Sequence, residues 1–158
     1  MKPSIIRKTT SLITAEEWDR AKRELAGTPV DPDVGIRIVT VKIENGIGTY
    51  VTEISPGKAA SIHYHPEGSE EYEVLSGQGR IRLLALNERE AGKTVPDETP
   101  VGKGDAFVIP AGCMHQLVSA DKSLVFIFKG EANHLTSENR VLTPDFVPPP
   151  SPPPAQNL

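Results

Sequence analysis

The chain has 158 residues, 37% hydrophobic and 24% charged, which suits one compact domain with extended ends rather than two domains. Seventeen basic against 21 acidic residues give a formal charge of -4, with no long run of either sign, which argues against a nucleic-acid or membrane partner and leaves small molecules. No stretch approaches the roughly 20 apolar residues of a membrane helix, the start MKPSIIRKTTSLITAEEW lacks the apolar core of a secretory signal, and Cys113 is the single cysteine, so a cytoplasmic protein without internal disulfides is expected.

In chain order, residues 4–8 (SIIRK) are short and β-branched, an arm to be laid on the body or on a second subunit. Thr14-Ala15-Glu16-Glu17 then has the capping-box pattern, in which hydroxyl and carboxylate satisfy each other's exposed backbone N–H groups, and WDRAKRELAG follows as a helix ending at Gly27. Trp18, Ala21 and Leu25 recur at i, i+3 and i+7 and give it one apolar packing face. Residues 1–35 thus form an N-terminal arm and short helix.

After the turn-rich connector TPVDPDVG the helical period disappears. Between residues 36 and 130 short β-rich runs follow one another: IRIVTVKI, GTYVTEIS, AASIHYH, EEYEVLS, GRIRLLAL, DAFVIP, HQLVS and SLVFIFKG, separated by NG, PGK, PEG, GQG and PAG. Short strands in succession without helices between them predict an all-β sandwich or small barrel. The longest interruption, NEREAGKTVPDETPVGKG, reads as a surface loop at the barrel rim. Residues 131–147 form a C-terminal extension without a clear period. Residues 148–158 carry six prolines in positions 148–154 and read as a disordered polyproline II tail.

His63 and His65 sit two residues apart, so in a strand both side chains leave one face, and the turn after them returns a carboxylate. The first segment runs Gly57, five residues, His63-Tyr64-His65, four residues, Glu70, six residues, Gly77; the second runs Gly104, five residues, Pro110-Ala111-Gly112, two residues, His115. Three of the four histidines fall in these two segments, and His134 lies outside them. This spacing resembles the two motifs of the cupin superfamily, with one departure: Ser119 stands where the family has Asn. The resemblance implies a single jelly-roll β-barrel with a short N-terminal helix. It also implies metal ligation by His63, His65, Glu70 and His115, leaving Glu67 in the turn and Glu71 on the opposite strand face.

Three neutral imidazoles and one carboxylate suit one divalent ion, Fe, Mn, Ni, Co or Zn, and leave a net formal charge of about +1 that favours an anionic small-molecule substrate. Tyr72, two residues after Glu70, shares its strand face and is the candidate catalytic residue; a tyrosine at this offset is similar to that of cupin lyases cleaving dimethylsulfoniopropionate, where it serves as base, although an aromatic lining is the commoner fate. Strand parity disfavours Glu73 as a base. Cys113 reads as a turn residue, Arg80 and Arg82 as a solvated strand face, and Tyr50, Phe107, Phe126 and Phe128 as core or pocket wall.

The expected function is a metal-dependent enzyme acting on a small oxygenated or carboxylate-bearing molecule, with dioxygenase-type chemistry ahead of isomerase, decarboxylase or lyase chemistry. A non-catalytic ligand-binding module is the reading from another class. A homodimer is expected from open sheet edges and the apolar arm.

Overall fold

Local rules set the first elements. The computed structural model describes residues 1–7 and 10–146, so Lys8 of the arm and the proline-rich tail over 148–158 lie outside the described residues. Strand β1 (Ile6–Arg7) precedes helix α1 (Ala15–Gly27), whose capping box forms as expected: Glu17 N–H donates to Thr14 Oγ1 at 3.1 Å and Thr14 N–H to Glu17 Oε1 at 2.9 Å. Strands β2 (Ile36–Glu44) and β3 (Ile47–Ile54) pair across Asn45-Gly46, both at positive φ, the turn that an Asn-Gly pair favours between antiparallel strands.

The remaining elements are β4 (His63–Tyr64), β5 (Glu70–Ser76), β6 (Gln78–Ala85), α2 (Leu86–Glu90), β7 (Asp97–Gly102), β8 (Asp105–Ile109), β9 (Cys113–Ser119), β10 (Leu124–Glu131), a 3-10 turn (Ala132–Leu135) and β11 (Val141–Leu142). The strands make two antiparallel sheets, β1-β8-β5-β10-β3-β2 and β11-β4-β9-β6-β7. This is the all-β jelly-roll expected, with its short N-terminal helix. Among the described residues, no helix is long and apolar enough to cross a membrane.

Alternation along the strands sends Tyr50, Ile54, Tyr72, Val74, Ile81, Leu83, Phe107 and Leu117 into the space between the sheets. β3 and β10 are buried on both faces, because α1 lays Ala21 and Leu25 against Val39, Val41, Val51 and Ile127 on the outside of the larger sheet. Full burial of each such side chain contributes about 1.5–3 kcal/mol.

The arm lies on the body of its own chain: Ile6 pairs with Ala106 and Arg7 with Asp105. The long interruption expected as loop contains α2 and β7. β7 is an edge strand on β6, where Pro100 is tolerated because only one side must pair. AASIHYH forms regular strand only at His63–Tyr64, with Pro66 soon after. The C-terminal extension returns to the barrel, where β11 pairs with β4 through Val141↔Tyr64 and Leu142↔His63.

Candidate metal centre

β4 and β9 bring the first two histidines together, since His63 and His115 are register partners. His65 follows one position past β4, and Glu70 opens β5 in the facing sheet. His63, His65, Glu70 and His115 each offer one ligand atom, all within 4.8 Å of one another. His65, Glu70 and His115 are buried and His63 is half-buried, at the open side of the cluster.

Backbone carbonyls fix the orientation of all three rings. Nδ1–H donates from His63 to Ser61 O at 2.9 Å, from His65 to Asn139 O at 2.7 Å, and from His115 to Cys113 O at 2.9 Å. An N–H committed to a carbonyl leaves the Nε2 lone pair of a neutral ring turned to the centre, the tautomer a metal requires. His65 Nε2 stands 3.1 Å and His115 Nε2 3.5 Å from Glu70 Oε1. Two lone pairs facing one carboxylate oxygen repel unless a cation or a proton lies among them. His65 Nε2 is moreover buried without a hydrogen-bond partner. Three nitrogens and one oxygen in this disposition fit a divalent transition ion.

Burial lowers the His63 pKa to about 3, with the neighbouring His115 adding to the effect, so the ring is neutral and available as a ligand at neutral pH. At Glu70 burial acts to raise the pKa, but positive charge gathered in the cluster, a proton shared with His115, His134 and His65 or a cation in its place, prevails and holds the carboxyl well below its usual range. Tyr72 O–H donates to Glu70 Oε1 at 2.9 Å and lies 3.4 Å from His115 Nε2. Burial first, then the Glu70 charge, pushes its phenol well above the ordinary value, so the oxygen keeps its proton and makes this hydrogen bond.

The extension supplies a second layer that the motifs do not contain. His134 stacks on His65 and sets Nδ1 3.2 Å from Glu70 Oε2, while its Nε2–H donates to Glu67 O at 2.8 Å. Asn139, whose carbonyl holds His65, also ties down the turn between the candidate ligands His65 and Glu70: its Nδ2 donates to Glu67 O at 2.9 Å and its Oδ1 accepts from Glu67 N–H at 3.0 Å. No strand period or short motif marks either residue in the sequence. The available signal was only that His134 is the one histidine left over.

The cluster opens into a cavity of about 590 Å³ with apolar walls from Ile36, Ile38, Leu117, Phe126 and Phe128. Phe126 and Phe128 are therefore wall, whereas Tyr50 and Phe107 are core, stacked on Phe128 and Tyr72. Arg80 and Arg82 turn from the cavity to Glu98, at 3.8 and 3.0 Å. Glu73 points away from Tyr72 as parity requires, but is buried beneath the arm, where Ser11 O–H and Leu12 N–H both donate to it at 2.7 Å. Cys113 is buried in the core outside the ligand set, and burial raises its thiol to about 11. Ser119 Oγ donates to Ser55 O at 2.6 Å, a link between loop and strand remote from the ligands.

Residues 39–150 match the family described as Cupin. Among curated proteins, the chain is 28% identical over 134 residues to germin-like protein subfamily 1 member 5 of Arabidopsis thaliana, covering 80% of this chain and 59% of that protein. It therefore spans little more than half of that relative's length. Among solved structures, it superposes on an oxalate oxidase in complex with the substrate analogue glycolate, with TM-score 0.56 and 18% identity over 65% of this chain and 54% of that one. It also superposes on Bacillus subtilis oxalate decarboxylase, a protein with Mn(II) centres, with TM-score 0.58 and 21% identity over 75% of this chain and 30% of that one. At these identities the structural likeness speaks for the fold.

Proposed function

The chain belongs to the cupin family, and on that footing we propose that it is an enzyme holding one divalent transition metal at His63, His65, Glu70 and His115 and acting on a small anionic molecule. The observation that carries this reading is the convergence of the His65 and His115 Nε2 atoms on one Glu70 oxygen, all three groups buried. Mn(II) and Fe(II) are the first ions to test, the former because a fold relative holds it. What such an ion supplies is Lewis acidity toward an anionic oxygen and, for iron or manganese, a path for electrons to dioxygen.

The chain's own residues do the rest. The carbonyls of Ser61, Asn139 and Cys113 hold the imidazoles in the ligating tautomer. The apolar walls exclude water from the reacting face and favour charge pairing over solvation. Tyr72 holds a proton at its phenol oxygen, next to Glu70 and His115.

An ion held by these four side chains would keep room for both substrate and dioxygen, which leaves oxidation, dioxygenase-type, as the first reaction class. The position of Tyr72 favours lyase, isomerase or decarboxylase chemistry as the second, because each of these needs a proton moved at the substrate. A lone buried thiol suits a cytoplasmic protein, and a homodimer is part of the same reading, tested by light scattering at micromolar concentration.

The deciding experiment loads the protein with Mn(II) or Fe(II) and follows oxygen consumption on small carboxylates, catechols, diketones and thiols, beside an anaerobic lyase and isomerase panel. Oxygen-dependent turnover supports the first class. Turnover undiminished without oxygen moves the protein to the second, and no turnover on either panel with metal bound removes the enzymatic reading.

A further inference from the structure

Among the described residues, one cation in the cavity has a buried N–H without a partner. Arg37 also lines it, but its Nε donates to Glu53 Oε1 at 3.0 Å. Arg140 lines the same cavity from the extension, and its Nε is buried without a hydrogen-bond partner. No salt bridge joins it to any carboxylate among the described residues.

Its placement is built rather than incidental. Asn139, immediately before it, gives its carbonyl to His65 Nδ1–H, and Val141, immediately after it, pairs with Tyr64. Continuing that antiparallel register by one step sets Arg140 across from His65, so the backbone that orients a candidate ligand also fixes where the guanidinium starts. A buried guanidinium N–H left unpaired is costly, and the group that relieves it best is an anion held in the guanidinium plane. The apolar walls strengthen that pairing by keeping the dielectric low.

We infer that Arg140 is a specificity-determining residue of this cavity, and that the ligand it selects carries two anionic groups, one at the four-residue cluster and the other, a carboxylate by preference, at the Arg140 guanidinium. Two separate positive centres face the cavity: three neutral imidazoles, one carboxylate and a divalent ion sum to about +1, and Arg140 adds a second, while Asp31, also in the lining, keeps the net charge at about +1. The metal reading supplies the first anchor; the second stands on Arg140 alone.

The test uses the full chain, with metal content measured first, and calorimetric titration of the Mn(II)-loaded and metal-free forms. The probes are oxalate, malonate, succinate and glutarate, each beside the monocarboxylate of equal carbon number: acetate, propionate, butyrate and valerate. Wild type is expected to bind at least one dicarboxylate about tenfold or more tighter than its partner. Arg140→Gln is expected to lose about 10- to 100-fold in that affinity, down to the monocarboxylate level, with unchanged metal content. Arg140→Met, which keeps the packing of the aliphatic stem, should behave like Arg140→Gln, and Arg80→Gln, the same charge change on the outer strand face, should behave like wild type.

Equal affinity for every matched pair in wild type overturns the inference, as does a preference that survives both Arg140 substitutions. Arg140-dependent preference in a protein that takes up no metal would sustain the inference and sink the metal reading. Full metal content with binding indifferent to Arg140 would do the reverse.

Discussion

His134 lies flat on His65, ring centroids 3.9 Å apart and planes 7° from parallel, with its Nδ1 3.2 Å from Glu70 Oε2. A residue outside both motifs thus touches two of the four candidate ligands. Burial disfavours charge on His134, but its contacts with Glu70 and the Glu67 carbonyl prevail and raise its pKa. His134→Phe keeps the stack and removes the polar contacts. It is expected to weaken metal affinity about 10- to 100-fold at unchanged stoichiometry, as outer-sphere replacements do, measured by chelator competition. Unaltered affinity would assign His134 to packing alone.

Tyr72 is separable from the ligands. Tyr72→Phe deletes only the hydroxyl that donates to Glu70 at 2.9 Å and leaves the ring stacked on Phe107. Metal content should equal wild type, while turnover on the substrate found in the reaction panels should fall about 100-fold, the usual scale for a proton-transfer group. Turnover within twofold of wild type would reduce Tyr72 to an aromatic wall.

Two glycines should fail differently. At Gly77, φ is +83° and an added Cβ would meet the Ser123 carbonyl oxygen, itself backbone, at 2.1 Å. Gly77→Ala should therefore cost about 3 kcal/mol or more of folding stability in urea titration. At Gly130 an added Cβ would stand 3.0 Å from both Glu70 Cγ and His134 Nδ1. Gly130→Ala should weaken metal binding more than it lowers the urea midpoint, because the crowded groups belong to the site.

Cys113 offers a check on the ligand set. The thiol is 1% exposed and raised to about 11, so near pH 8 it is protonated as well as inaccessible. Iodoacetamide should leave it unmodified in the native protein and label it rapidly in urea, and Cys113→Ala should retain full metal content. Loss of metal in that variant would bring sulfur into the site.

The sequence carried the inner half of this site, for a physical reason. His63, His65 and Glu70 are bound to one another by strand parity and a short turn, and His115 by the register of β9 on β4, so fixed spacing suffices to find them. Tyr72 facing inward and Glu73 facing outward follow from the same parity. The outer half was not legible. His134, Asn139 and Arg140 reach the site because the extension folds back and pairs β11 with β4, a non-local pairing of two residues with no pattern of its own. For the same reason the two-residue β1 could be seen only as an arm, and β7 was hidden in a segment rich in Gly and Pro whose pairing partner, β6, alone makes it a strand.

The most direct test of the metal centre is bound metal per chain. Protein purified without air and reloaded with Mn(II) or Fe(II) should hold close to one ion per chain, and His63→Ala and His115→Ala, folded by circular dichroism, should hold almost none. Wild-type protein carrying no more metal than these two variants would contradict the account.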